Sequence, residues 1–168
     1  MARKTIESYV KDGKVPEFRV DDEGLKKNEG AFVTVRKAGE LRGCIGNIIG
    51  QQPLYLTVRD MAVESSSADP RFVPVSPDEL KEIKIEISVL SEPKRVEDAD
   101  GIKLGVHGVI VKSGYRSGVF LPQVADETGW TKEEFLSNLC EGKAGLPADA
   151  WKDKKTELYV FTAQVFSE

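Results

Sequence analysis

At 168 residues, 31% of them charged and with a net charge of −4, the chain suits one domain with a substantial core, and no broad basic field suits it to nucleic acid. No apolar run approaches the roughly eighteen residues of a membrane span, and Met-Ala-Arg-Lys-Thr lacks the apolar centre of a signal peptide, so a soluble, cytoplasmic protein is expected. Cys44 and Cys140 make neither a metal-binding pair nor a disulfide framework, and no metal or cofactor is expected.

Ile6, Tyr9 and Val10 fall at helical spacing between Thr5 and Asp12, and Gly13 supplies a stop. Ala31 to Arg36 reads as a strand, Lys37 to Glu40 as a turn, and Leu41 to Ile49 as the returning arm of a hairpin. Gln52-Pro53 opens a helix to about Ala68, with Leu54, Val58, Met61, Ala62 and Ser65 on one face. Ser76 and Glu79 have capping-box spacing and announce a short helix. From Ile83 to Val89 apolar residues alternate with Lys84, Glu86 and Ser88, as in a sheet with one wet face. A second hairpin runs from Ile102 to Leu121, turning near Lys112-Ser113-Gly114. Thr131 and Glu134 open a helix that turns Phe135, Leu136, Leu139 and Cys140 inward and ends at Gly142, and Glu157 to Phe166 forms the last strand. Without a regular βαβ rhythm the class is α+β, a mostly antiparallel sheet with flanking helices.

The stretch Leu41-Arg42-Gly43-Cys44-Ile45-Gly46 sets a thiol between two glycines inside a strand. Glycines admit a close backbone or ligand, and backbone N–H groups freed at a bulge can form an anion-binding nest. Side-chain alternation puts Arg42 on the face of Cys44, where it would favour a thiolate. The competing reading is that Cys44 is a small core residue and the glycines let the next helix pack closely. His107, the only histidine, is placed on a strand arm with Val109 and Val111 and is the sole imidazole for Cys–His chemistry. Pro122 begins a helical turn that sets backbone donors and Gln123 at its start. Asp69-Pro70-Arg71-Phe72 ends the long helix, and Arg71 pairs with Asp69 or an anion. Trp130 and Trp151 anchor the C-terminal part, and Cys140 is core.

The hexapeptide, with DPRFVPVSPDEL, IEISVLS, HGVIV, GVFLPQVA, FLSNLC and KAGLPADAW in order, resembles the AMMECR-type domain family from about Gly30 to Phe166. Proteins of this type are also named AmmeMemoRadiSam system protein A, after companions of Memo type and radical S-adenosylmethionine type. The resemblance implies a single AMMECR-type domain over residues 1–168, with two unequal lobes, a cleft near LRGCIG and an enzymatic or binding role for its cysteine. Two readings follow. In one, Cys44 is a nucleophile, His107 its base and the N–H groups of Gly43 to Gly46 oxyanion donors. In the other, Arg42, Gly43, Ile45, Gly46, Pro122 and Gln123 serve a binding or adaptor module for a small ligand, a peptide or a companion protein.

Overall fold

Helix α1 covers Ala2–Asp12 and stops where Gly13 adopts a left-handed φ of 67° and returns its N–H to the Tyr9 carbonyl at 2.8 Å. The computed structural model describes residues 1–168 and divides into two compact units, Met1–Leu90 with Gln164–Glu168, and Ser91–Ala163. In the first unit β1 (Gly30–Lys37) and β2 (Glu40–Asn47) form the expected hairpin, followed by α2 (Leu54–Ser67). The Ser76 capping box starts a 3-10 turn at Pro77–Lys81 that leads into β3 (Ile83–Leu90). With β8 (Ala163–Ser167) these strands make a sheet of order β2-β1-β3-β8, so β2 lies at an edge.

Alternation along the strands decides what each face carries. Ala31, Val33, Val35, Ile83 and Ile85 are buried with Val58 and Ala62 of α2 and Ile6 of α1, forming the core of this unit. Along β3 the second face is not wet throughout, because Ser88 is buried opposite its cross-strand partner Phe32, whose ring projects from the same face.

The second unit holds β4 (Lys94–Val96), β5 (Gly108–Ser113), β6 (Arg116–Phe120) and β7 (Glu157–Phe161) in the order β4-β7-β5-β6, with antiparallel pairings throughout. Over it lie α3 (Gln123–Thr128) and α4 (Lys132–Asn138), the latter opened by the Thr131–Glu134 capping box. Phe135, Leu136, Leu139 and Cys140 are fully buried as expected, and Trp130 and Trp151 pack against that core. The fold is α+β.

Several boundaries differ from the sequence reading. The hairpin read from Ile102 starts only at Gly108, because residues 104–106 form a turn. The helix does not end at Gly142 but widens into a π turn, Leu139–Ala144, closed by left-handed Gly145. The last strand is two strands in different sheets, because at Thr162 both backbone groups turn to Ser91: the Ser91 N–H donates to the Thr162 carbonyl, and the Thr162 N–H to the Ser91 hydroxyl. Apolar alternation runs through this break and does not mark it.

Candidate functional site

The two glycines of LRGCIG answer to different neighbours. Gly43 is buried, and a Cβ there would stand 1.9 Å from the Ser65 carbonyl oxygen, so the backbone of α2 rests directly on the strand. A Cβ at Gly46 would meet the Phe32 ring at 2.3 Å and the Ala31 carbonyl at 2.5 Å, so this glycine makes room for the neighbouring strand and its aromatic ring. Ile45 pairs with Val33 and shares its core face, beside Gly43. Cys44 points the other way, half-buried, next to Thr34, whose hydroxyl donates to Sγ at 3.3 Å. Beyond Thr34 on β3 its partner is Glu86, so thiol, hydroxyl and carboxylate form a row across three strands.

Arg42 does not join that row. Val35 pairs with Gly43 and Arg36 with Leu41, which leaves Arg42 as the extra residue of a β-bulge and turns its side chain away from the face of Cys44. Its guanidinium is bidentate on Glu79, with Nε and Nη2 both at 3.0 Å, and donates to the Val73 and Pro74 carbonyls at 2.7 and 3.2 Å. These bonds tie the loop after α2 to the edge strand. Glu79 also accepts from the Ser76 N–H and from Lys37, whose own pKa is raised by Glu82 and Glu79.

The cation beside the cysteine is Arg71. Pro70 holds residue 69 out of helical geometry at the end of α2, and the Asp69 side chain swings onto β2. Its carboxylate, 2% exposed, accepts from the Cys44 N–H at 2.9 Å, from the Arg71 N–H at 3.1 Å and from the Arg71 guanidinium at 2.9 and 2.6 Å. The same guanidinium reaches the Cys44 carbonyl at 3.1 Å. Both outward backbone groups of Cys44 are therefore occupied, and the open edge of the sheet is closed at this residue. Arg71, then the Cys44 and Arg71 N–H groups, hold the Asp69 carboxyl far below the usual carboxylate range. Arg71 is itself raised, first by Asp69 and to a smaller degree by the Cys44 sulfur.

Glu79 gives this region an acid limit. Arg42 first, then the Ser76 N–H, lower its pKa from 4.5 to about 2. A depressed carboxylate stabilises the fold fully above its unfolded pKa and loses that contribution as pH falls through the folded value. We expect Glu79→Gln to have a flatter melting-temperature profile than the parent between pH 4.5 and 2. Parallel profiles in thermal melts would count against the Arg42–Glu79 tie.

In the second unit His107 is not on a strand arm. It closes a turn before β5, its N–H donating to the Lys103 carbonyl at 2.8 Å and its Nδ1 accepting from the Lys103 N–H at 3.2 Å, with Gly105 at φ 74° shaping the bend. Pro122 is the N-cap of α3, whose first residue is Gln123, as its sequence position suggested. Cys140 lies in this unit's core, and burial pushes its thiol pKa up.

Asp69, Arg71, Thr34 and Glu86 are the site residues that the motif itself did not announce. The pairing of β1 with β2 and of β3 with β1 places Thr34 beside Cys44 and Glu86 one strand beyond it, given the register.

The family model AMMECR1 matches residues 1–166. The chain belongs to the AMMECR1 family. The match extends through the N-terminal helix, beyond the stretch over which the motifs alone carried the resemblance. The chain is 45% identical to protein MK0488 of Methanopyrus kandleri, over all of this chain and 85% of that one. It is 42% identical to protein NEQ441 of Nanoarchaeum equitans, over all of this chain and 97% of that one. The crystal structure of the uncharacterized protein PH0010 from Pyrococcus horikoshii superposes with a TM-score of 0.93 at 42% identity, over 99% of this chain and 87% of that chain. No helix of this AMMECR1-family chain is long and apolar enough to cross a membrane.

Proposed function

We propose that the chain acts as one AMMECR-type binding module over residues 1–168, in which LRGCIG is the rigid floor of a cleft for a small ligand or peptide presented to companion proteins. The observation that carries this reading is the double anchoring of β2: Asp69 and Arg71 hold both backbone groups of Cys44, and Arg42 ties the strand to the loop after α2 through the Val73 and Pro74 carbonyls and to Glu79. Charged side chains are spent on fixing the strand, and a surface fixed before binding loses little entropy on complex formation. On this reading Cys44, with Thr34 beside it, presents the contact surface, Gly46 admits the neighbouring Phe32 ring, and Pro122, Gln123 and His107 are candidate binding residues of the second unit in their own right.

The partners that fit the AmmeMemoRadiSam arrangement are the Memo-type and radical S-adenosylmethionine-type proteins. Surface plasmon resonance with each purified companion should give saturable binding that Cys44→Ser keeps and Cys44→Trp loses. Binding to neither companion, or binding untouched by Cys44→Trp, sinks the proposal.

The catalytic reading, Cys44 as nucleophile with His107 as base, draws on the nearness of Arg71 to the sulfur. Iodoacetamide labelling of the native protein at neutral pH, read by peptide mass spectrometry, separates the two. For a binding module, Cys44 labels no faster than a free thiol, Cys140 labels only after denaturation, and His107→Gln changes neither. Rapid labelling confined to Cys44 that slows in His107→Gln would return the nucleophile.

A further inference from the structure

The helical layer over the first unit's sheet is incomplete. Ile83 and Ile85 of β3 are buried under it, whereas Ile87 and Val89, next on the same face, are only half-buried. Beside them opens a cavity of about 500 Å³, walled by Leu54 and Val58 of α2, Ile87, Val89 and Phe166. A smaller hollow of about 180 Å³ shares Ile87, Phe166 and Met1 with it, so the two together form a groove past the start of α1. None of these residues belongs to LRGCIG, and the groove is a feature separate from the cysteine.

Its composition is that of an amphipathic receptor. Leu25 and Phe166, 36% and 50% exposed, stand at an apolar rim that a folded chain ordinarily covers. Asp22 and Glu29 are the charged side chains of the larger cavity, which Met1 also lines, and in the smaller hollow Arg3 is paired with Glu168, so the side chains left to meet a partner's charge are the two carboxylates. A sheet whose apolar face is covered by α1 and α2 is completed by another helix in the same layer. A helix laid in such a groove buries its apolar stripe and turns its flank to the rim.

We infer that this groove docks an amphipathic helix of a partner protein, apolar on the side that meets Ile87 and Val89 and basic along the edge that meets Asp22 and Glu29. The apolar walls supply most of the affinity, and the two carboxylates choose the partner and its orientation.

The test uses synthetic Ala-rich helical peptides of about 20 residues, past the length of about 12–15 at which isolated helices are marginal in water. They share one Leu/Ala face and carry either a Lys edge or a Glu edge. Isothermal titration calorimetry on the full chain should show binding of the Lys-edged peptide at least tenfold tighter than the Glu-edged one, with the negative heat-capacity change of apolar burial. In the double variant Asp22→Lys with Glu29→Lys, the first exposed and the second half-buried, that preference should reverse. Ile87→Glu should abolish binding of both peptides, with circular dichroism reporting whether that variant is folded. The proposal is overturned if neither peptide binds while decyltrimethylammonium saturates the cavity, which would make it a small-amphiphile site. Equal binding of both peptides by the parent and the charge-reversed protein overturns it as well.

Discussion

Gly43→Val is expected to lower the melting temperature of the first unit by on the order of 10 °C, while Cys44→Ser lowers it by a few degrees at most. A Cβ at position 43 would sit 1.9 Å from the Ser65 carbonyl oxygen, and that atom is helix backbone, which cannot swing aside as a side chain does. To admit valine, α2 must lift from β2, and Val58 and Ala62, which pack on Val33 and Val35 through the same helix, lift with it. Overpacking a close contact costs about 1–3 kcal/mol, and displacing a helix that brings Leu54, Val58 and Ala62 into the core belongs at the upper end or beyond. Cys44 faces away from α2, and serine keeps a partner for the Thr34 hydroxyl at similar volume. Gly43→Ala, with one added carbon, should fall between the two. Thermal unfolding followed by circular dichroism decides the order, and equal melting temperatures for Gly43→Val and Cys44→Ser would show that α2 does not rest on the strand.

This geometry also shows where the sequence was legible. The hairpin, the long helix and both capping boxes follow from local rules: a turn between two β-rich runs, a proline before an apolar stripe, and Ser or Thr three residues before Glu. For Gly43 the sequence fits both close packing and a chemical role, and the α2 backbone lying 1.9 Å from where its Cβ would be makes it a packing glycine. What local rules cannot carry is register. The bulge that turns Arg42 toward Glu79 lies in the pairing of β1 with β2, and two residues of alternation put Arg42 beside Cys44 only if that pairing is regular. His107 likewise reads as part of a strand because Val106, Val109 and Val111 flank it, yet the left-handed Gly105 ends the extended run before it starts. The row Thr34, Cys44 and Glu86 is a product of three strands brought into line, and its members are 52 residues apart at the extremes, 34 to 86.

Asp69→Ala is expected to have the second large effect, and a distinct signature. The carboxylate is almost wholly buried and satisfies the Cys44 N–H, the Arg71 N–H and the Arg71 guanidinium together. Removing it leaves a backbone donor without its partner at the sheet edge and a half-exposed cation without its counterion, a loss of about 1–3 kcal/mol. Arg71→Met should cost less, because its side chain is 52% exposed and its loss lets water reach the carboxylate. Protonation imitates the mutation: with its pKa held far below 3.8, Asp69 contributes fully above that value, and the contribution fades as pH falls below it toward the folded pKa. Over that acid range the melting temperature of Asp69→Ala should therefore fall less steeply than that of the parent. Amide hydrogen exchange gives the local test, since the Cys44 N–H points out of the sheet and owes its protection to Asp69 alone. It should exchange slowly in the parent and far faster in Asp69→Ala, while the amides of β1 that pair with β3 keep their protection. A Cys44 amide equally protected in both proteins would mean that something other than Asp69 closes this edge, and the rigid-floor reading of LRGCIG would lose its main support.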